Sequence, residues 1–259
     1  YLRAKDMFNK KSVEAKQQFQ FYSEFAKVIP SVAATLKGKT LTKENLVAIK
    51  PTTQEEARNL SILSQVVNDP TMVGKSQAEV EEFLNKEIKG ALEYFEPQAT
   101  KQYNLDFDPR AIVGDNYQDK KEKFYGNNHY EGPDAQHGTH VAGIIAGYPQ
   151  GNEVQYGVAY KVAKIMTVRA VPNGDERDKD VANSIRYAVD NGAKVINMSF
   201  GKPVSPEKEL VWEAFQYAKD KGVLLVKAAG NENEDIQENP YFPTNFKSTK
   251  DEKPFINNM

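Results

Sequence analysis

The sequence predicts an α/β fold, a parallel sheet with helices on both faces, joined to a mostly α-helical N-terminal segment. Three observations carry this. Residues 1–105 place apolar side chains at helical spacing in a background rich in Lys, Glu and Gln. Residues 106–259 alternate short apolar runs with amphipathic helices, the pattern of βαβ units whose strands run parallel through right-handed crossovers. Between the two textures, the polar loop Gly126-Asn127-Asn128 gives way to the apolar run Val141–Ile145, a loop entering a helix with histidines at the junction.

In the helical segment the first pattern carries Phe8, Val13, Phe21, Tyr22, Phe25 and Ile29 and is expected to stop at Pro30. Thr53-Gln54-Glu55-Glu56 then reads as a capping box, the Thr hydroxyl and Glu carboxylate satisfying orphan N–H groups ahead of Ala57, Leu60, Leu63 and Val67. A second box, Ser76-Gln77-Ala78-Glu79, opens a helix with Val80, Phe83, Leu84, Ile88 and Leu92 that ends near Pro97. These faces suit a small bundle. The segment has no histidine, no cysteine and no glycine-rich loop, so its charges read as a solvated surface.

Four apolar runs of the second segment are expected as strands: Ala111–Val113 ending at Gly114-Asp115, Val162–Val171, Val195–Phe200 and Val223–Val226. One helix starts near Asp178 or Asp180, buries Val181, Ile185, Ala188 and Val189, and stops at Asn191-Gly192. The next has Ser205 as N-cap and Pro206 at its first position, then Leu210, Val211, Ala214, Phe215 and Ala218, with Gly222 as its stop. In the histidine helix, Gly143 and Gly147 each cost about 1 kcal/mol relative to alanine. They point to a close backbone approach, with the surrounding Val and Ile sunk in a core.

Composition narrows the chemistry. A formal charge of −2 without a dense basic run excludes recognition of nucleic acid by bulk electrostatics. No apolar run approaches the roughly 20 residues of a membrane span. The absence of cysteine removes disulfides, thiolate nucleophiles and Cys-type zinc sites together.

Ligands of open parallel sheets bind beyond the carboxyl ends of the strands. That rule singles out Asp115, Ser199-Phe200-Gly201 and Ala228-Ala229-Gly230-Asn231, with His137 at a helix N-terminus able to reach the same edge. His137 suits a general base; His140, one turn deeper, suits a packed core histidine. A metal held by His129, His137 and His140 lacks an H-E-x-x-H arrangement. Asn231 either offers its amide to an oxyanion or makes a Gly-Asn turn. Ser199 fits a nucleophile poorly, because it continues a strand instead of opening a helix.

His137-Gly138-Thr139-His140-Val141-Ala142-Gly143 resembles the histidine motif of subtilisin-like serine peptidases. Val195–Gly201 is similar to that family's substrate-pairing strand and Ala228–Asn231 to its oxyanion-hole segment, in the same order. The resemblance covers residues 110 to 245 and implies a subtilisin-like peptidase domain over 106–259, carrying 1–105 as a helical insertion. It implies His137 as general base, Asn231 as oxyanion donor, and Ser199, Phe200, Gly201, Ala229 and Gly230 flanking an extended protein or peptide substrate. Secretion or surface attachment is likewise implied by the family alone. No cofactor is expected. Calcium enters only through the resemblance, since relatives often bind it in surface loops, and no acidic loop here has a defensible ligand spacing.

The departures are equally plain. Neither the family's Gly-Thr-Ser nor its Asp-(Ser/Thr)-Gly occurs in the sequence. Asp115, 22 positions before His137, lacks the following Ser/Thr-Gly. The aspartate strand is therefore expected upstream of Tyr1 and the nucleophile beyond Met259, making the domain incomplete and the isolated chain inactive as a peptidase. The alternative is a non-catalytic, peptidase-like domain that binds extended peptides.

Overall fold

The computed structural model describes residues 2–132, 134–151, 154–236, 238–248 and 250–259. The chain divides into two compact units between Phe107 and Asp108. Among the described residues no helix is long and apolar enough to cross a membrane.

The first unit packs α1 (Leu2–Ala34), α2 (Lys43–Val47), α3 (Gln54–Val66) and α4 (Gln77–Pro97), followed by a π-helical turn over Gln98–Gln102. Contrary to the expectation from sequence, α1 runs through Pro30. An interior proline removes a backbone hydrogen bond at a cost of about 3 kcal/mol. Pro30 faces solvent, while Ile29 and Val32 are fully buried; each such burial is worth about 1.5–3 kcal/mol, enough to carry the helix past the break. Val13 and Phe21, expected on the buried face, are exposed. The core is Ile29, Val32, Leu36, Leu41, Leu63, Val80 and Leu84. Both arms of the Ser76–Glu79 box form. At α3 the Thr53 hydroxyl accepts from Glu56 N, but the Glu56 carboxylate turns back to Thr52 N and Oγ1, 2.7 Å from each. These bonds and Lys37 hold the Glu56 carboxyl down at about 2.

The second unit contains α5 (Arg110–Val113), α6 (Gln136–Ala146), α7 (Asp178–Asp190), β1 (Val195–Met198), α8 (Lys208–Asp220) and β2 (Leu224–Lys227). The strands pair in parallel, Val195 beside Leu224 through Met198 beside Lys227. Met198 and Leu225 point into a core with Val181, Ile185, Val211, Ala214, Phe215 and Ile256. Val195, Leu224 and Val226, on the alternate face, are half exposed. Among the described residues the sheet is thus two-stranded and covered by α7 and α8 on one face only.

Two expected strands are absent. Ala111–Val113 lies in the short helix α5, closed by Gly114 at φ +80°. The run from Val162 to Val171 is irregular, with Val162, Ile165 and Met166 exposed. An apolar run becomes a strand only when a neighbour accepts its ladder bonds, and neither run has one. β2, by contrast, is flanked on its other side by the C-terminal tail, Leu225 N donating to Asn258 O at 2.8 Å. Ser205 is no helix cap either: α8 starts at Lys208, and the Ser205 hydroxyl donates to Asp178.

Candidate functional site

Parallel pairing brings the two post-strand segments out at one edge. Ala228 N donates to Met198 O at 3.1 Å, one step beyond the ladder, so Ser199-Phe200-Gly201 and Ala229-Gly230-Asn231 leave β1 and β2 side by side. A second pairing follows: Lys202 and Phe242 exchange backbone bonds of 2.9 and 2.8 Å. This places the Tyr241 ring against both glycines. A Cβ at Gly201 would overlap that ring, and one at Gly230 would lie 3.4 Å from Tyr241 Cδ1. Gly230 also takes φ +105°, where a side chain is strained. The glycines are thus required by close approach at one and backbone conformation at the other.

Around this rim, Ser199 Oγ accepts from Asn197 Nδ2 at 3.0 Å. Asn231 is exposed; its backbone N–H donates to Glu232 Oε2 at 2.8 Å, and its side-chain amide bonds nothing among the described residues. Lys227 turns to the inner face of β2, its ammonium 5.0 Å from the Tyr241 ring. Burial without a carboxylate partner lowers its pKa. Burial, then the charges of Glu232, Glu176 and Asp175, raises that of Tyr241.

The loop after β1 is fixed by a buried anchor that sequence reasoning missed. Asp178, at the start of α7, lies 2.7 Å from Lys202 Nζ and accepts from Ser205 Oγ and Glu207 N. Lys202 also donates to Glu176 O at 2.6 Å. The Glu176 side chain is buried with Oε1 unbonded, and burial raises its pKa. The only advance signal was an acidic run before α7 and a lysine directly after Gly201.

His137 occupies the second position of α6, exposed as expected for the tip. The rest of the helix differs from expectation: none of its residues is buried, and Ile144 is 55% exposed, because no other element among the described residues covers its apolar side. Its C-terminal carbonyls are taken instead by residues 157–159: Gly157 N bonds Gly147 O, Val158 N bonds Ile144 O and Ala159 N bonds Ile145 O. The expected close backbone approach is found at Gly147, where a Cβ would meet Gly143 O and where Gly157, whose own absent Cβ makes room for Ala146 and Gly147, packs in; Gly143 faces open space. No hydrogen bond joins His137 to the rim among the described residues. Nor do three or more His, Asp or Glu side chains gather there as a metal site.

Asp115 bonds α5 and α7 and, among the described residues, none of the post-strand segments. Its carboxylate, with no exposed side-chain surface, sits 2.7 Å from Arg110 Nε and 2.8 Å from Lys179 Nζ. The Arg110 bond, assisted by Lys179, lowers its pKa against the opposing effect of burial. Arg110 also grips Asp180 through both terminal nitrogens, at 2.8 and 2.9 Å. Asp115 therefore anchors α5 to α7.

Comparison with known proteins adds the family context. The model of the subtilase family, Peptidase_S8, matches residues 38–252. C5a peptidase of Streptococcus pyogenes serotype M18 (strain MGAS8232) is 42% identical over 108 residues, 39% of this chain and 9% of that protein. Thermitase of Thermoactinomyces vulgaris is 40% identical over 110 residues, 42% of this chain and 38% of its own. A thermophilic serine proteinase of Bacillus sp. (strain AK1) is 38% identical over 128 residues, covering 49% and 29%. The chain thus spans less than two fifths of each of these relatives. No solved structure matches it.

Proposed function

Since the chain belongs to the subtilase family, we propose that it contributes the general base and the oxyanion donor of a serine endopeptidase. In that reaction a serine Oγ attacks the peptide carbonyl, His137 takes its proton and later returns it to the leaving amine, and an aspartate orients the imidazole. The Asn231 amide donates to the oxyanion of the tetrahedral intermediate. Ser199–Gly201 and Ala229–Gly230 flank the substrate backbone, adding it as an extended strand.

The observation that carries this reading is the convergence of the two post-strand segments at one edge, with the Asn231 amide exposed and, among the described residues, unbonded beside them. By family resemblance the enzyme works outside the cell, secreted or surface-attached, on protein or peptide substrates, and calcium in a surface loop is a family trait to be tested. The subtilisin-like architecture of the second unit belongs to the same proposal, as does the role of the first unit as an insertion.

The triad aspartate and serine are assigned to no residue of this sequence, because neither family tripeptide occurs in it. A fluorophosphonate probe tests the assignment. This chain alone should remain unlabelled, and stoichiometric labelling would redirect the nucleophile to Ser199. In the natural polypeptide that carries the sequence, His137→Ala should abolish labelling, and Asn231→Ala should lower kcat by about 10²–10³-fold. Labelling unaffected by His137→Ala would refute the base; a polypeptide that never labels yet binds peptides would be a non-catalytic relative.

A further inference from the structure

A cavity of about 370 Å³ opens between the segment at 120–123 and one stripe of α7, formed by Lys179, Ala182, Asn183 and Arg186, with α8 closing the far side. It shares no residue with the rim around β1 and β2. Its lining holds five cationic side chains against a single carboxylate, Glu213.

The frame of the cavity is built from within. Lys179, 1% exposed, forms its floor and is neutralised by Asp115 and Glu122 at 2.8 and 2.9 Å. The same ammonium bonds Asn116 O, Asn116 N bonds Glu122, and Asn183 Nδ2 donates to Glu122 O at 2.9 Å and to Tyr125 at 3.0 Å. Lys120 is held by Glu207 at 2.6 Å and by the Tyr117 ring at 3.8 Å. These contacts fix the loop that presents the remaining charges. Lys121 and Lys123 project from it, exposed, and neither forms an ion pair among the described residues. Across from them Arg186 lies over the Tyr217 ring at 5.5 Å, and its one ion pair among the described residues is a 3.7 Å contact to Glu213, whose side chain is 70% exposed.

Two unpaired ammonium groups facing a guanidinium that is barely neutralised, on a rigid frame, suit a ligand with several acceptor oxygens and more than one negative charge. Guanidinium binds such groups through paired N–H donors and ammonium as a point charge. We propose that this cavity is an anion site for a phosphate or sulfate monoester group. The site is separate from the peptidase reading and stands or falls without it.

Calorimetric titration of this chain with glucose 6-phosphate and glucose 6-sulfate, at physiological ionic strength, tests the site and separates its two sources. Saturable binding at one ligand per chain is expected for at least one. It should weaken at least tenfold in Lys121→Gln/Lys123→Gln and in Arg186→Gln, and stay unchanged in Lys10→Gln/Lys11→Gln, exposed lysines of the first unit. Circular dichroism, with Trp212 fluorescence for the second unit, checks that each variant is folded. Absence of saturable binding by both ligands, or equal loss in the Lys10/Lys11 control, overturns the proposal.

Discussion

Replacing Asp178 with asparagine should loosen the loop after β1 and cost the second unit about 3 kcal/mol. At 2.7 Å and an effective dielectric of about 20, the Asp178–Lys202 attraction is about 6 kcal/mol before desolvation is counted. Removing one partner of a buried pair strands the other charge, at a cost of about 3–5 kcal/mol. Lys202 is 5% exposed but keeps its bond to the Glu176 carbonyl, which places the estimate at the lower end. Trp212, the only tryptophan of the sequence, lies in α8 and reports unfolding of this unit in urea. A double-mutant cycle with Lys202→Met isolates the pair. A loss below about 1 kcal/mol, or additive single losses, would refute the claim that this ion pair fixes the rim.

Other perturbations have equally definite outcomes. Gly201→Ala should destabilise the second unit by about 1–3 kcal/mol, because the new methyl meets the Tyr241 ring and the Phe242 carbonyl; Tyr241→Ala in the same chain should recover part of it, by Trp212 fluorescence. Ser76→Ala removes one arm of the box on α4 and should cost about 1 kcal/mol, read by circular dichroism, which includes the helical unit. The folded-state pKa of Asp115 is depressed, chiefly by Arg110. Its stabilisation is therefore fully present above the unfolded value of about 3.9 and lost as pH falls through the folded value. Urea unfolding between pH 6 and pH 2.5 should show that loss, reduced in Asp115→Asn.

Some signals in the sequence are local. The period of α7 and α8, the glycine stop at Gly222 and the capping box at Ser76 each involve residues within one or two turns of each other. So do the two apolar runs that became β1 and β2, bounded by turn residues and separated by a single helix. The motif His137–Gly143 and the order of the later segments likewise sufficed to point to the family. Ala111–Val113 and the run from Val162 to Val171 have equally apolar texture. Their fate depended on a strand beside them, which no local pattern records.

By itself, then, the sequence determined α7, the body of α8, the capped start of α4, the two strands that pair and the glycines at the rim, since periodicity, caps and turn residues act over a few positions. Only the tertiary structure decided that Pro30 lies inside a helix, that Asp115 is consumed by Arg110 and Lys179, and that Tyr241 fills the space between Gly201 and Gly230. It alone also assigned the loop after β1 to Asp178. These outcomes rest on partners tens of positions apart, Asp115 and Lys179 being separated by 64. Burial makes such pairings strong, and burial exists only once the chain has folded.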